Sequence, residues 1–188
     1  VQTIAAGGTS ASYTIPLNWL KAIPNAASGT ASATLETLDT SGNTLGTSSY
    51  NFTVTVPAGV TPNLESVTVA PVNSNSALAG WNAYAYGKSQ AKITINGASG
   101  AYGSTIKSYS ITTDPSVGSA NASSLTTGAL YKTGTVTITA KVTDSRGRTA
   151  TRSATFSVSA YAAPVISGVT LYRCKSDGTR DDAAGTYA

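Results

Sequence analysis

The fold is decided by residues 134–160, which read GTVTITAKVTDSRGRTATRSATFSVSA. From Val136 to Val142 every second residue is apolar and the residues between them are Thr or Lys, so this strand has one face on a core and one in water. Asp144 and Gly147 then supply a turn, because Asp accepts main-chain N–H groups and Gly adopts a positive φ. The alternation resumes after the turn. The stretch therefore predicts an antiparallel hairpin.

The same hairpin pattern occurs a second time, at residues 29–56. Four features recur in the same order, 105 residues apart for the first three and 104 for the last: the Gly-Thr pair (Gly29, Gly134), the turn aspartate (Asp39, Asp144), the turn glycine (Gly42, Gly147) and a phenylalanine (Phe52, Phe156). Residues 62–69 likewise return as residues 164–171. The decrease of the spacing from 105 to 104 residues between the turn and the phenylalanine predicts a bulge or a small deletion after one turn. A repeat of this length is one all-β domain, so the sequence predicts a tandem array.

The repeat divides the chain into three parts. Residues 1–57 are predicted to be the C-terminal part of a first immunoglobulin-like module, and residues 58–161 a complete immunoglobulin-like β-sandwich. Residues 162–188 are predicted to be the start of a third module, truncated after one strand. About 100 residues is the usual size of one sandwich.

The complete module has further strand patterns upstream of its hairpin. Strands are predicted around residues 67–69, 91–95 and 106–112, with shorter ones between residues 116 and 130 and breaks that include residues 97–103. Seven short strands predict an antiparallel sandwich of immunoglobulin type without the disulfide. A fibronectin-type sandwich with another strand order is the alternative.

Composition agrees with an all-β fold. The chain is 40% apolar but only 11% charged, and it contains 18 Gly and 10 Tyr, which disfavours solvent-exposed helices with ion pairs. One short helix is predicted near residues 17–23, ended by Pro24. Trp19 on this helix is expected to cap the core of the first sandwich; ligand binding is the alternative.

The net charge of +4 contains one cluster, formed by Arg146, Arg148 and Arg152. It is expected to be a solvated hairpin tip, with a site for nucleic acid or an anionic polymer as the alternative. No nucleic-acid partner is predicted, because the sequence lacks an aromatic-basic motif. No membrane partner is predicted either, since no stretch approaches the ~20 apolar residues of a span. The single cysteine, Cys174, is expected to be a half-buried strand thiol; pairing with a residue beyond Ala188 is the alternative.

Catalysis is argued against by the residues that are missing. There is no His, so the commonest general base and the usual zinc and serine-triad residues are absent. The eight carboxylates show no pairing across a cleft as a glycosidase requires. Asp181 and Asp182 could contribute to a cation site, but a solvated loop is preferred. The sequence predicts no enzymatic activity, no cofactor and no metal.

Several segments carry a resemblance to a known family. They are residues 15–19 (IPLNW) with 23–26 (IPNA), residues 86–89 (YGKS), residues 102–109 (YGSTIKSY) and residues 144–150 (DSRGRTA). In this order they resemble a family of siphophage tail proteins of unassigned function, and the hairpin resembles the closing hairpin of bacterial and phage immunoglobulin-like domains. The resemblance implies a virion location in the tail, its tip or a host-contacting fibre, and it implies no catalytic residues.

Two functions remain as hypotheses. The first is a rigid spacer or decoration of a phage tail, whose partners are other virion tail proteins or copies of itself. The second is recognition of host cell-wall polysaccharide through Trp81, Tyr84 and Tyr86, because aromatic faces stack on sugar rings; packing between modules is the alternative. Tyr84 and Tyr86 share a face if the segment is extended. An extracellular adhesin stalk is a third, less favoured origin.

Overall fold

The computed structural model describes residues 2–5, 7–73 and 78–186, and the parts of the three predicted modules at residues 1, 6, 74–77, 187 and 188 lie outside this description. Within it the chain forms a short 3-10 helix and nine strands. In chain order these are the helix Leu17–Ala22, β1 (Ser28–Leu38), β2 (Thr44–Thr55), β3 (Asn63–Val72), β4 (Tyr84–Ala85), β5 (Gln90–Ser99), β6 (Ile106–Asp114), β7 (Ser124–Thr126), β8 (Gly134–Asp144) and β9 (Thr149–Ser159). The predicted all-β fold with one short helix is confirmed.

Strands β1 and β2 form a two-stranded antiparallel sheet, here called the N-terminal hairpin. Its register matches that of β8 and β9, because Gly29 faces Val54 just as Gly134 faces Val158. The register shifts beside Thr37, and the extra residue of β2 is Leu45. The predicted bulge is therefore confirmed, and it explains why the spacing falls from 105 to 104 residues.

Strands β3 to β9 form a second unit, here called the two-sheet domain. One sheet has the order β3-β5-β7 and the other β4-β9-β8-β6. The strands predicted from the apolar alternation within residues 58–161 are all present, and all described pairings are antiparallel except the two-residue contact of β4 with β9. The arrangement fits a β-sandwich, while the immunoglobulin-type strand order stays a prediction.

One apolar core lies between these two sheets. β8 contributes the alternate residues expected from the sequence, and each of them is 0% exposed. Burial of a side chain such as Ile138 stabilises the fold by roughly 1.5–3 kcal/mol relative to exposure. The fully or nearly fully buried members of the core are Leu64, Ala91, Ile93, Ile95, Ile111, Leu130, Val136, Ile138, Ala140, Val142, Phe156 and Val158.

Three expectations from the sequence are wrong in detail. Trp19 does not cap a core, since it is 47% exposed and its neighbour Leu20 is buried instead. Gly97 does not break a strand: it lies inside β5 with φ +62°, and the chain leaves the sheet only at Gly100. The strand predicted to open a third module is absent, because the described residues 160–173 form no strand.

The described part of the chain contains no helix with the length and apolar character needed to cross a bilayer.

Candidate functional site

The three aromatic residues predicted as a glycan contact do not form one surface. Tyr84 packs into the two-sheet domain, with its ring 4.5 Å from that of Phe156, and this burial raises the pKa of Tyr84 above its ordinary 10.0. Tyr86 instead meets Tyr131 edge to face at 5.7 Å. Trp81 is 60% exposed. The predicted shared face of Tyr84 and Tyr86 is therefore wrong, because β4 ends at Ala85.

Two further aromatic residues lie at this end of the domain. Tyr131 is 65% exposed beside Tyr86, and the Lys88 ammonium lies 5.8 Å from the centre of the Tyr161 ring. Neither Tyr131 nor Tyr161 was among the residues predicted from the sequence. The contact between Tyr86 and Tyr131 joins segments 45 residues apart, which no local pattern indicates.

Two of the carboxylates accept hydrogen bonds within their own turns. Asp39 accepts the side-chain amide of Asn43 and the main-chain N–H groups of Ser41 and Asn43, and these bonds lower its pKa. Asp177 accepts the N–H of Thr179, which lowers its pKa in the same way. Among the described residues, His, Cys, Asp and Glu side chains do not assemble into a group of three that could hold a metal.

The prediction of a solvated arginine tip is wrong for Arg146. Arg146 is 7% exposed, and its guanidinium is surrounded by main-chain carbonyls of two chain segments. It donates from Nε to Ile23 O at 3.0 Å and from Nη2 to Leu20 O at 2.8 Å. It also donates from Nη1 to Ala101 O and from Nη2 to Tyr102 O, both at 2.7 Å.

This arginine joins two units of the fold. Leu20 and Ile23 belong to the segment that leads into the N-terminal hairpin, whereas Ala101 and Tyr102 lie in the loop between β5 and β6 of the two-sheet domain. The flat guanidinium has five donors in a fixed fork, and charged hydrogen bonds of this length are the strong ones. Arg146 therefore fixes both segments with respect to the turn at residues 144–148.

Other residues of the same turn reinforce the junction. Ser145 donates its hydroxyl to Pro24 O at 2.6 Å. Arg148 donates to Val56 O at 2.5 Å and to Ala58 O at 3.1 Å, so it holds the chain where the hairpin ends. Arg152 lies outside the junction and bonds Leu64 O at 2.7 Å, which ties β9 to β3 within the two-sheet domain.

An apolar layer lies alongside these bonds. Leu20, Val56 and Val60 form a small buried cluster, with Ile23 and Ala101 packed against it. Water is thereby excluded on one side of the arginine, and hydrogen bonds to charged groups contribute more in such surroundings. The junction combines apolar burial with polar bonds, which is the composition of a fixed contact between structural units.

The sequence could not indicate these partners. The acceptors are carbonyls that every residue carries, and they lie 44 to 126 residues from Arg146 in the chain. One signal was present: Arg146 falls in residues 144–150, a segment that carried the family resemblance.

A comparison with protein families supports that resemblance. The family model described as "Siphovirus protein of unknown function (DUF859)" matches residues 1–178, so the resemblance to a siphophage family of unassigned function is confirmed. No curated protein matches the chain.

Proposed function

Because the chain belongs to the siphovirus protein family of unknown function, we propose that it is a non-enzymatic structural module of the phage tail. In this role it acts as a rigid spacer in the tail tip, a fibre or a decoration, in contact with other tail proteins or copies of itself. Membership of a siphovirus family makes the chain a bacteriophage protein and suggests association with the virion.

The bonding of Arg146 carries the spacer proposal. A single side chain holds four carbonyls, two on each side of the junction, so the hairpin cannot turn against the two-sheet domain without breaking charged hydrogen bonds. Each such bond contributes about 1.5–3 kcal/mol. Pro57 and Pro62 also limit the backbone of the short connection. These features support a rod in which neighbouring units keep a fixed angle.

The rigidity is tested by small-angle scattering on the 188-residue chain. We expect the wild type to fit one conformation, and the Arg146→Ala variant to require an ensemble with a broader distance distribution. Arg146→Lys keeps the charge but loses the fork, so it should behave like the Ala variant. Arg180→Ala is the matched control, since the Arg180 side chain is 62% exposed. A wild type with freely reorienting units would refute the spacer role.

The tail position is tested on intact particles. Gold-labelled antibody raised against the chain should bind at the tail of the phage in electron micrographs. Labelling of the capsid alone, or of no virion component, would contradict the proposed location while leaving the rigidity of the chain unaffected.

Host attachment is a second proposal, and exposed aromatic side chains support it. The side chains of Trp81, Tyr86 and Tyr131 are 60%, 40% and 65% exposed. Exposed aromatic faces can stack on sugar rings. The half-buried Tyr84 is removed from the candidate contact by its packing on Phe156. The siphovirus family gives no support to a bacterial adhesin stalk.

Binding of cell-wall polysaccharide is tested by pull-down with purified host cell walls. We expect the wild type to sediment with the walls and the Trp81→Ala, Tyr86→Ala double variant to stay in solution. Tyr50→Ala is the control, because Tyr50 is 74% exposed but lies on the N-terminal hairpin. Absence of wild-type binding would reject attachment through these aromatic side chains.

A further inference from the structure

The turn that follows β4 displays a tyrosine and a lysine from a fixed backbone. It closes on itself, because the N–H groups of Lys88 and Ser89 donate to Ala85 O at 3.1 and 3.0 Å. The hydroxyl of Ser89, which is 0% exposed, accepts the N–H of Ala85 at 2.9 Å. Tyr86 N donates to Ser159 O at 2.9 Å, so the turn is also fastened to β9. The exposed side chains of Tyr86 and Lys88 therefore start from defined positions.

A second aromatic ring packs on the same turn at Gly87. The N–H of Gly87 donates to Leu130 O at 2.8 Å, and this bond brings Tyr131 against the turn. A Cβ at Gly87 would lie 3.4 Å from Cε1 of Tyr131, so the ring lies close to the bare main chain. It meets Tyr86 edge to face at 5.7 Å. Two exposed tyrosine rings from distant segments are thus held together in one relative orientation.

Lys88 places a positive charge beside these rings. Its Nζ atom lies 5.8 Å from the centre of the Tyr161 ring, and a contact of this kind leaves the ammonium N–H groups free to donate. The ion pairs found among the described residues lie at residues 175–182, so in this part of the chain Lys88 forms no ion pair with a carboxylate. Lys132 follows Tyr131 directly and is also exposed. We call Tyr86, Lys88, Tyr131 and Lys132 the tyrosine-lysine surface.

The carboxylates of the two-sheet domain lie elsewhere. Asp144 ends β8 on the far side of the domain, and Glu65 lies near the start of β3, beside the loop between β5 and β6. Asp114 ends β6, which β8 and β9 separate from β4. Basic side chains beside exposed aromatic rings attract a ligand that combines an anionic group with a face that can stack.

We propose that the tyrosine-lysine surface binds an anionic cell-wall polysaccharide of the host. A sugar ring stacks on Tyr131 or Tyr86, and a phosphate or carboxylate group of the same polymer accepts a charged hydrogen bond from Lys88. A neutral polysaccharide would make no use of this charge, and a nucleic acid would require more basic residues than the surface carries. The inference rests on the host-attachment proposal above and adds to it the chemical class of the ligand.

The charge preference is tested by sedimentation of the 188-residue chain with purified host cell walls. We expect Lys88→Gln to lower the affinity about tenfold, because one charged hydrogen bond is lost, and Lys88→Arg to bind like the wild type. Raising the salt concentration from about 0.05 M to about 0.5 M should weaken the wild type more than Lys88→Gln. Lys107→Gln is the matched control, since it removes the same charge from an exposed position at the start of β6, on the far side of the domain.

Two treatments of the walls distinguish the sources of the anionic group. Cold hydrofluoric acid removes polymers linked by phosphodiesters, and carbodiimide coupling to an amine neutralises carboxylates. Loss of wild-type binding after the first treatment identifies a phosphate group as the partner of Lys88, and loss after the second identifies a carboxylate.

The outcomes also separate this inference from the attachment proposal. Equal affinities of Lys88→Gln and the wild type, with binding still lost in the Trp81→Ala, Tyr86→Ala double variant, would overturn the anionic ligand and keep attachment through aromatic side chains. A wild type that does not sediment with the walls would reject both. Lys88 is exposed, so the urea midpoint of each lysine variant should equal that of the wild type.

Discussion

Arg148 occupies the place in its turn that Asn43 occupies in the N-terminal hairpin, but the two side chains bond in different directions. Asn43 donates its amide to Asp39 Oδ2 at 2.9 Å. Arg148 instead reaches across the junction to Val56 O and Ala58 O. As a result, Asp144 Oδ2 is buried without a protein partner. The junction is thus formed at the expense of a bond within the turn.

We expect Arg148→Asn to reverse this exchange. The shorter amide should bond Asp144 Oδ2 as Asn43 bonds Asp39, and the turn should gain about 0.5–1.5 kcal/mol against local opening. Val56 and Ala58 lose their donor at the same time. Hydrogen exchange of the amides at residues 144–148 should therefore slow, while scattering should show a looser junction.

Arg148→Ala separates the two effects, because it removes the junction bonds without offering an amide to Asp144. The turn amides of this variant should exchange no more slowly than those of the wild type. Equal exchange rates in the Asn and Ala variants would show that Asp144 gains nothing from Asn at this position.

Gly100 is required by the close approach of the chain in the loop between β5 and β6. A Cβ at this position would collide with the main-chain carbonyl of Ser104. We expect Gly100→Ala to lower the free energy of unfolding by roughly 1–3 kcal/mol and to loosen the junction, because the same loop presents the Ala101 and Tyr102 carbonyls to Arg146. Urea denaturation measures the first effect and scattering the second.

The control for this substitution is Gly128→Ala. No atom lies within 4 Å of a Cβ built at Gly128, so its unfolding free energy should stay within about 0.5 kcal/mol of the wild type. If both variants are equally stable, the contact with Ser104 does not constrain the loop.

Ile138 tests the core of the two-sheet domain. It is 0% exposed in β8, so Ile138→Ala should cost about 2–5 kcal/mol through lost burial and the cavity left behind. Leu45→Ala removes a side chain of similar size that is 68% exposed at the bulge of β2, and it should change stability by about 0.5 kcal/mol or less. Thermal or urea unfolding measures both variants. Equal losses of unfolding free energy in Ile138→Ala and Leu45→Ala would contradict the assigned core.

We expect the folded state to lose stability in alkaline solution because of Tyr84. Its burial raises the pKa of the folded state above 10.0, so the unfolded chain ionises at lower pH than the folded one. The stabilisation that Tyr84 contributes is complete below pH 10, and it is lost as the pH rises from there through the pKa of Tyr84 in the folded state. Urea midpoints measured between about pH 8 and pH 11 should fall more steeply for the wild type than for Tyr84→Phe. Parallel profiles would exclude Tyr84 as the source.

The sequence predicted what depends on neighbouring residues. Alternation along β8, the turn aspartates and the one-residue bulge at Leu45 are local features, and the structure confirms each of them. The all-β fold and the short helix followed from the same kind of reasoning. Residues 160–173 are the exception: they carry a strand pattern but form no strand, since a strand needs a partner as well as a pattern.

The site could be predicted only in part. The sequence located the exposed Trp81, but it put Tyr84 and Tyr86 on one face because it could not show that β4 ends between them. It put Arg146 in solvent because charged residues in turns are mostly exposed. The burial of Arg146 depends on main-chain carbonyls that the whole fold brings together. The pattern of side chains in the sequence does not indicate where these carbonyls lie.

All the acceptors of the junction are main-chain oxygens. The receiving segments around Leu20, Ile23 and Val56 can therefore change their side chains and still bind Arg146 and Arg148, provided that the backbone keeps its path and the small apolar cluster stays filled. A turn that carries these two arginines can therefore bind upstream segments whose other side chains differ.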